Sequence, residues 1–194
     1  MQLTSALTLI VTTLCITPVT LMADDKPVTS TIQGTPAGDL VLIQDVTIRT
    51  SLEKAWDAYT TKAGWEGWVV PLAEVDFRVG GKIRTSYNAD GRIGDDSTNT
   101  LWVVNYAPLR FLTLQAELSK NWPEFMQEDY ERLYNVIWFE QVDAEHVKIT
   151  SYGSGYKDNE KYRGLMDFFI PANEATMVNL KTYLEGKTPT AAAH

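Results

Sequence analysis

Residues 40–48 read LVLIQDVTI, and residues 51–56 read SLEKAW. In the first stretch alternate positions on one face are apolar: Leu40, Leu42, Val46 and Ile48. That alternation is typical of a strand with one face in a core. Ser51 is a favourable N-cap residue, and apolar residues follow it at helical spacing: Leu52, Ala55, Trp56 and Tyr59. The two stretches therefore predict a strand that leads into a helix lying on the sheet.

The next elements are predicted from their turn residues. Residues 63–68 read AGWEGW, which predicts a second short helix that Pro71 ends. The Gly80-Gly81 pair predicts a two-residue hairpin between strands over 75–79 and 82–87. Two further hairpins are predicted, 101–106 with 111–118 and 133–142 with 146–152. Consecutive hairpins indicate an antiparallel meander.

From residue 159 to residue 184 the apolar spacing becomes helical. Pro171 lies inside this segment, and an interior proline removes one hydrogen bond. We therefore expect a bent or two-piece helix in the concave side of the sheet. The predicted fold class is α+β, with a curved antiparallel sheet wrapped around a long C-terminal helix.

The ends of the chain have a different composition. Residues 1–23 contain no charged side chain and an apolar centre at 7–14, which predicts a cleaved secretory signal peptide. A retained membrane anchor is the alternative, since the uncharged stretch is nearly long enough to span a bilayer. Residues 24–38 are rich in Thr, Pro and Gly and predict a flexible linker. The domain is expected over 39–186, followed by a disordered tail over 187–194.

Composition limits the function classes. The single cysteine, Cys15, lies in the predicted signal, so the mature chain would have no disulfide, no thiolate nucleophile and no thiolate metal ligand. The net charge of −8 disfavours nucleic-acid binding, because an acidic surface repels phosphate backbones. We expect a periplasmic or secreted protein with no membrane span in its mature form.

The order of these elements resembles the START-like superfamily, also called SRPBCC, Bet v 1-like or helix-grip. The resemblance is strongest to its branch of heat-shock protein 90 ATPase activator homologues. It is carried by residues 51–56, Trp65, Trp68, residues 75–84 and a closing segment with Gly153, Gly155, Tyr156, Phe168, Phe169 and residues 180–184.

The resemblance implies a mostly apolar cavity between the sheet and the final helix. Members of the superfamily carry lipids, hormones or polyketides, and a minority are enzymes, so the fold alone does not imply a reaction. A co-chaperone meets its chaperone in the cytosol. The predicted export therefore argues against a chaperone partner.

Few residues suit catalysis or metal binding. The histidines are His146, which is predicted at a strand start, and the final residue His194, so neither a catalytic triad nor a zinc site is expected. Asp90, Asp95 and Asp96 could attract a calcium ion, but their spacing is not that of an EF-hand. Glu140 shares a predicted strand face with Trp138 and is the best candidate for an inward carboxylate.

Residues from several elements are predicted to line the cavity: Trp65, Trp68, Phe77, Trp102, Trp138, Phe169 and Asn173. The alternative is that these rings simply fill the core. The predicted function is binding of a hydrophobic small molecule or lipid by an exported domain, without cofactor, metal or catalysis. Two alternatives stay open. One is an enzyme for an apolar, polyketide-like substrate that uses Glu140 or a tyrosine as acid or base, and the other is a cell-envelope protein-interaction module.

Overall fold

A computed structural model describes residues 26–118 and 122–187. The helices are α1 (Leu52–Thr60), α2 (Lys62–Trp68), α3 (Glu124–Glu128) and α4 (Glu160–Leu184), with a 3₁₀ turn at Tyr130–Arg132. The strands are β1 (Val28–Gly34), β2 (Asp39–Arg49), β3 (Leu72–Val75), β4 (Lys82–Ser86), β5 (Asn99–Ala107), β6 (Phe111–Ala116), β7 (Tyr134–Gln141) and β8 (His146–Lys157).

The eight strands form one antiparallel sheet in the order β1-β2-β8-β7-β6-β5-β4-β3. The sheet is not closed, so β1 and β3 are its edges. The predicted hairpins β5–β6 and β7–β8 are both present. The α+β fold, a curved sheet with a long C-terminal helix, is confirmed. No helix of the described ranges is long and apolar enough to cross a membrane.

The prediction of a flexible linker over 24–38 is wrong, because this segment contains β1. Val28–Gly34 pairs with β2 from Val46 to Leu40. An edge strand is half solvated, so Thr, Ser and Gln can replace the apolar alternation that marks a buried strand. The domain therefore begins before residue 39. The predicted signal peptide and nearly all of the predicted tail lie outside the described residues.

The Gly80-Gly81 pair does not form the expected two-residue hairpin. Val75 pairs with Ile83, which leaves residues 76–81 as the connection between β3 and β4. The glycines instead continue the pairing with β5. Gly80 N–H donates to the Val103 carbonyl at 2.8 Å, and Val103 N–H donates to the Gly81 carbonyl at 2.9 Å. Gly80 has a φ of +76°, which a residue with a side chain rarely adopts.

Helix α4 is continuous through Pro171, so of the expected bent or two-piece helix the two-piece form is wrong. Pro171 is exposed and removes one backbone donor, and the 25-residue helix keeps its remaining ladder. The helix lies over β1 and β2, where Gln44 is buried beneath it. Gln44 accepts a hydrogen bond from the Asn173 amide at 2.9 Å and donates to Ser30 Oγ at 2.9 Å.

Apolar residues form two separate clusters. The main core joins α1, α2 and the end of α4 to the sheet, and it includes Trp65, Trp68, Ile137, Phe139, Ile149, Met177 and Leu180. The end cluster has Met126, Leu133 and Tyr162 at its centre, with Leu118, Trp122, Phe125, Tyr156, Leu165 and Phe169 packed against them. Between the two clusters lies part of the concave face of the sheet.

Candidate functional site: a polar seam on the concave face

The gap between the two clusters is clearest along β7. Leu133 is buried in the end cluster, and Ile137 and Phe139 are buried in the main core. Asn135 lies between them on the same concave face and is exposed. A residue at the concave centre of a middle strand is exposed only if no helix covers it. Because α4 lies over β1 and β2, this part of the sheet is left open.

Small or polar residues also lie near Asn135 on the neighbouring strands, although its direct partner on β6, Leu114, is buried in the main core. We call this set the concave seam: Ala116 on β6, Asn135 on β7, and Ser151 and Gly153 on β8. Asn135 pairs directly with Gly153, and Ile137 pairs with Ser151. None of the four seam residues carries a charge. The part of the sheet that α4 leaves uncovered therefore presents small or polar side chains without charge.

Tyr156 reaches the seam through a β-bulge. The register of β2 against β8 shifts between Leu40 and Leu42, and Gly155 adopts a φ of +87°. A Cβ on Gly155 would lie 1.8 Å from the Arg132 carbonyl oxygen, so only glycine fits. The extra residue brings Tyr156 to the concave face. Its hydroxyl lies over Gly153, where an added Cβ would be 2.8 Å from it.

The polar atoms of the seam, and the Tyr156 hydroxyl that lies over it, are only partly hydrogen-bonded. Ser151 Oγ donates to Asn135 Oδ1 at 2.9 Å. Among residues 26–118 and 122–187, the Asn135 amide nitrogen and the Tyr156 hydroxyl have no hydrogen-bond partner. Burial raises the pKa of Tyr156 to about 12, so its phenol stays neutral at physiological pH. The seam therefore offers uncharged donors and acceptors to a ligand.

Aromatic rings stand along one side of the seam. Phe169 lies 6.3 Å from Trp122 and 6.3 Å from Tyr156, measured between ring centroids. All three side chains are half-buried. Rings that keep exposed faces beside an open floor can contact an apolar molecule.

Ion pairs and a hydrogen bond connect the elements around the end cluster. Asp129 is buried, accepts a hydrogen bond from the Tyr162 hydroxyl at 3.0 Å, and pairs with Lys157 at 2.6 Å. Burial alone would raise the pKa of Asp129, but hydrogen bonds from Lys157 and Tyr162 outweigh burial and lower that pKa. Arg132 pairs with Asp39 at 2.5 Å. These contacts fasten the α3 and 3₁₀ segment to the sheet and to α4.

Two of the predicted site residues pack into the main core. Trp65 and Trp68 are each 7% exposed. Their indole N–H groups donate to the carbonyls of Tyr59 and Ala58 at 2.8 and 3.0 Å. Phe77 is half-buried at the edge of the same core, against Trp56 and Tyr106. These rings fill space that a ligand would otherwise occupy.

Two other tryptophans lie on the convex face, which corrects their predicted orientation. Trp138 is 43% exposed and stacks on Phe111 at 5.8 Å with an interplanar angle of 3°. Trp102 lies under Lys82, whose Nζ is 4.0 Å from the ring centroid. Both β5 and β7 carry large apolar residues on both faces, so alternation could not decide which face is inside.

Glu140 is also on the convex face, so it is not a cavity carboxylate. It is exposed and pairs in register with Lys148. His146 binds Asp143 beside the β7–β8 turn and is not part of a triad. Asn173 binds Gln44 instead of the seam. Of the predicted residues, Phe169 alone lies beside the seam.

The aspartates of the loop over residues 90–96 do not form a metal cage. Asp95 accepts hydrogen bonds from Arg92 N–H and from the backbone and hydroxyl of Ser97, which organise the loop itself. These bonds lower the pKa of Asp95, the Ser97 hydroxyl most of all. In the part of the chain that the structure describes, no three metal-ligating side chains come together.

A pocket of about 330 Å³ lies on the convex face near Trp102. Its cations are each matched by an acid: Arg78 by Asp76 at 3.0 Å, Lys82 by Glu117 at 3.5 Å, and Arg84 by Glu74. The surface is therefore electrostatically balanced and favours no charged ligand.

Asn135, Ser151 and Tyr156 were not predicted from the sequence as site residues. Asn135 interrupts the row Leu133, Ile137, Phe139, and such a polar interruption on a core-facing row is a usable signal. Two nearby glycines, Gly153 and Gly155, are typical of a bulge that redirects the next side chain.

Comparison with known proteins then settles the family. The model of the family described as activator of Hsp90 ATPase homolog 1-like protein matches residues 49–185. This chain belongs to that family. No curated protein matches the sequence significantly.

Several solved structures share the fold of this family member. The Aha1 dimer from Colwellia psychrerythraea is 18% identical with a TM-score of 0.56, over 75% of this chain and 96% of that one. CalU16 from Micromonospora echinospora is 14% identical with a TM-score of 0.56, over 84% and 85%. DynU16, of the dynemicin biosynthetic locus, is 16% identical with a TM-score of 0.57, over 79% and 49%. At these identities the likeness is one of fold.

Proposed function

We propose that this domain binds a hydrophobic small molecule or lipid in the concave seam and does not catalyse a reaction on it. The observation that carries the proposal is the exposure of Asn135 between two apolar clusters. A packed domain would close this gap with apolar side chains, because an open gap forfeits burial and packing contacts. Family membership supports ligand binding, and the biosynthetic locus of DynU16 supports a small-molecule ligand.

The chemistry of the seam supports binding more than catalysis. The seam and the rings beside it provide no carboxylate, imidazole or ammonium group to act as acid or base near neutral pH. The enzyme alternative used Glu140 or a tyrosine as acid or base. Glu140 is exposed on the other side of the sheet. Burial raises the pKa of Tyr156 to about 12, which disfavours this tyrosine as a base near neutral pH.

We also propose that the domain acts outside the cytoplasm. The support is the uncharged stretch over residues 1–23, with its apolar centre. The intact mass of the protein from the periplasmic or culture fraction of its host tests this. A mass that corresponds to a start at residue 24 supports export with cleavage. A full-length cytoplasmic product contradicts it.

Native mass spectrometry of the protein purified from its own host tests the binding proposal, followed by solvent extraction of anything released. We expect a stoichiometric apolar adduct. Phe169→Ala should lose the adduct, while Trp138→Ala, on the convex face, should retain it. Absence of any adduct, with no tryptophan fluorescence response to a panel of lipids, contradicts the proposal.

A second candidate is a protein-interaction module of the cell envelope. The observation that favours it is the convex aromatic pair Phe111 and Trp138, which leaves Trp138 43% exposed. One similar structure is a dimer of Aha1. Analytical ultracentrifugation separates the candidates: a self-associating wild type that Trp138→Ser makes monomeric would support an interface there. A monomer at all concentrations would leave this second candidate without support from self-association.

A further inference from the structure

The chemistry of the seam limits which apolar molecules fit it. We infer that the ligand carries an uncharged hydrogen-bonding group, such as a hydroxyl, ketone or amide, and that Asn135, Ser151 and Tyr156 bind this group. The inference rests on the proposed binding function and specifies the ligand class.

The three side chains converge on one position of the sheet. The Tyr156 hydroxyl lies over Gly153, and Asn135 is the direct partner of Gly153 on β7. Directly opposite residues of an antiparallel pair lie about 4.5–5.5 Å apart, so the phenol and the amide are neighbours. Ser151 is already bonded to the amide oxygen at 2.9 Å. One polar group placed here could contact all three side chains.

The unused hydrogen-bonding capacity is of both kinds. Asn135 retains amide N–H donors, Ser151 retains acceptor lone pairs, and the Tyr156 hydroxyl can donate or accept. A ligand that buried these atoms without bonding them would lose their hydration, at a cost in affinity. A purely hydrocarbon ligand is therefore disfavoured.

Charge on the ligand is disfavoured for a separate reason. The concave seam has no charged residue, and two cations beside the end cluster are paired with acids: Lys157 with Asp129 and Arg132 with Asp39. A carboxylate or phosphate at Asn135 would be desolvated without a counter-ion. The free energy lost in that desolvation exceeds the free energy gained from hydrogen bonds with neutral groups. The aromatic side of the seam, with Trp122 and Phe169, suits the apolar body of the ligand.

The experiment uses the mature protein and three probes of equal chain length: 2-decanone, 1-decanol and decanoate at pH 7.5. Isothermal titration gives the three affinities. We expect the ketone and the alcohol to bind and decanoate to bind at least about tenfold more weakly. Equal or tighter binding of decanoate would overturn the inference while leaving the proposed function intact.

Two variants assign the polar contact. Tyr156→Phe and Asn135→Leu should each weaken 2-decanone binding by about three- to tenfold. The matched controls are Tyr152→Phe, on the same strand, and Asn105→Leu, on β5, both at convex positions. Unchanged binding in both seam variants, with thermal unfolding showing that they are folded, would overturn the assignment. Failure of all three probes to bind the wild type would instead contradict the proposed function itself.

Discussion

The main core and the end cluster are both rich in aromatic residues, yet they differ in how completely they are packed. In the main core Trp65 and Trp68 are buried, and both indole nitrogens are bonded to carbonyls. In the end cluster three of the described members are buried, and the rings beside the seam are half-buried. The comparison separates two roles within one fold. A filled cluster supplies stability, and a partly filled cluster beside an open polar floor can accept a ligand.

The largest expected effect comes from opening the main core. Trp65→Ala removes a buried ring and its hydrogen bond to Tyr59, so we expect a loss of about 3–5 kcal/mol in the free energy of unfolding. Urea unfolding measures it. Trp102→Ala, on the convex face, is the control and should lose clearly less. A loss below about 1 kcal/mol for Trp65→Ala would contradict the description of a filled core.

The next effect concerns the attachment of the end cluster. Asp129→Asn removes the ion pair with Lys157 and weakens the bond from Tyr162, so we expect a loss of about 1–3 kcal/mol at pH 7. Glu140→Gln, an exposed carboxylate on the convex face, should change the free energy of unfolding by less than about 0.5 kcal/mol. Equal effects of the two substitutions would mean that Asp129 does not fasten the cluster.

The same variant predicts a pH dependence. The pKa of Asp129 is lowered in the folded protein, so its stabilising contribution is complete above the unfolded value of about 3.9. It is lost as the pH falls from there through the folded pKa. The stability difference between wild type and Asp129→Asn should therefore be constant from about pH 5 to 8 and shrink below about pH 4. A difference that grew on acidification would have the wrong sign.

Replacement of Phe169 in the end cluster should lower stability less than Trp65→Ala does, but it should weaken ligand binding. Phe169→Ala removes a half-buried ring, so we expect about 1–2 kcal/mol less stability. Affinity for 2-decanone should fall by about tenfold, because the ring flanks the seam. Urea unfolding and isothermal titration measure the two quantities on the same preparation. Unchanged affinity would place the ligand elsewhere.

The smallest effect is expected on the convex face. Trp138→Ala removes a stacked but exposed ring and should cost about 1 kcal/mol or less. Ligand affinity should not change, because Trp138 lies on the convex face. If Trp138 lined the cavity, as the sequence predicted, affinity would fall. Titration of Trp138→Ala beside Phe169→Ala gives the comparison directly. Loss of binding in Trp138→Ala would reverse the assignment of the two faces.

The fold could be predicted from the sequence because its signals are local and ordered. The alternation over 40–48, the Ser51 cap and the two hairpins each needed only a few neighbouring residues. Strand β1 was missed because an edge strand of Thr, Ser and Gln lacks apolar alternation. The path of residues 76–81 was missed because Gly80 and Gly81 pair with β5, a contact that no local dipeptide rule contains.

The site could be predicted only in part. Which face of β7 is inside depends on what covers it, and both of its faces are apolar, so Trp138 was assigned to the wrong face. The position of α4 over β1 and β2 involves contacts between residues far apart in the sequence, such as the bond from Asn173 to Gln44 across 129 residues. That position of α4 leaves Asn135 exposed, so the exposure of Asn135 is not determined by the sequence of β7 alone.

An NMR titration tests directly whether the ligand occupies the concave seam. The six tryptophans give six indole N–H signals in a ¹H–¹⁵N correlation spectrum, assigned through Trp→Phe variants and followed during titration with 2-decanone. If the ligand occupies the concave seam, the Trp122 signal should shift, while those of Trp102 and Trp138 on the convex face stay fixed. A saturable shift of the convex signals with Trp122 unmoved would contradict the account.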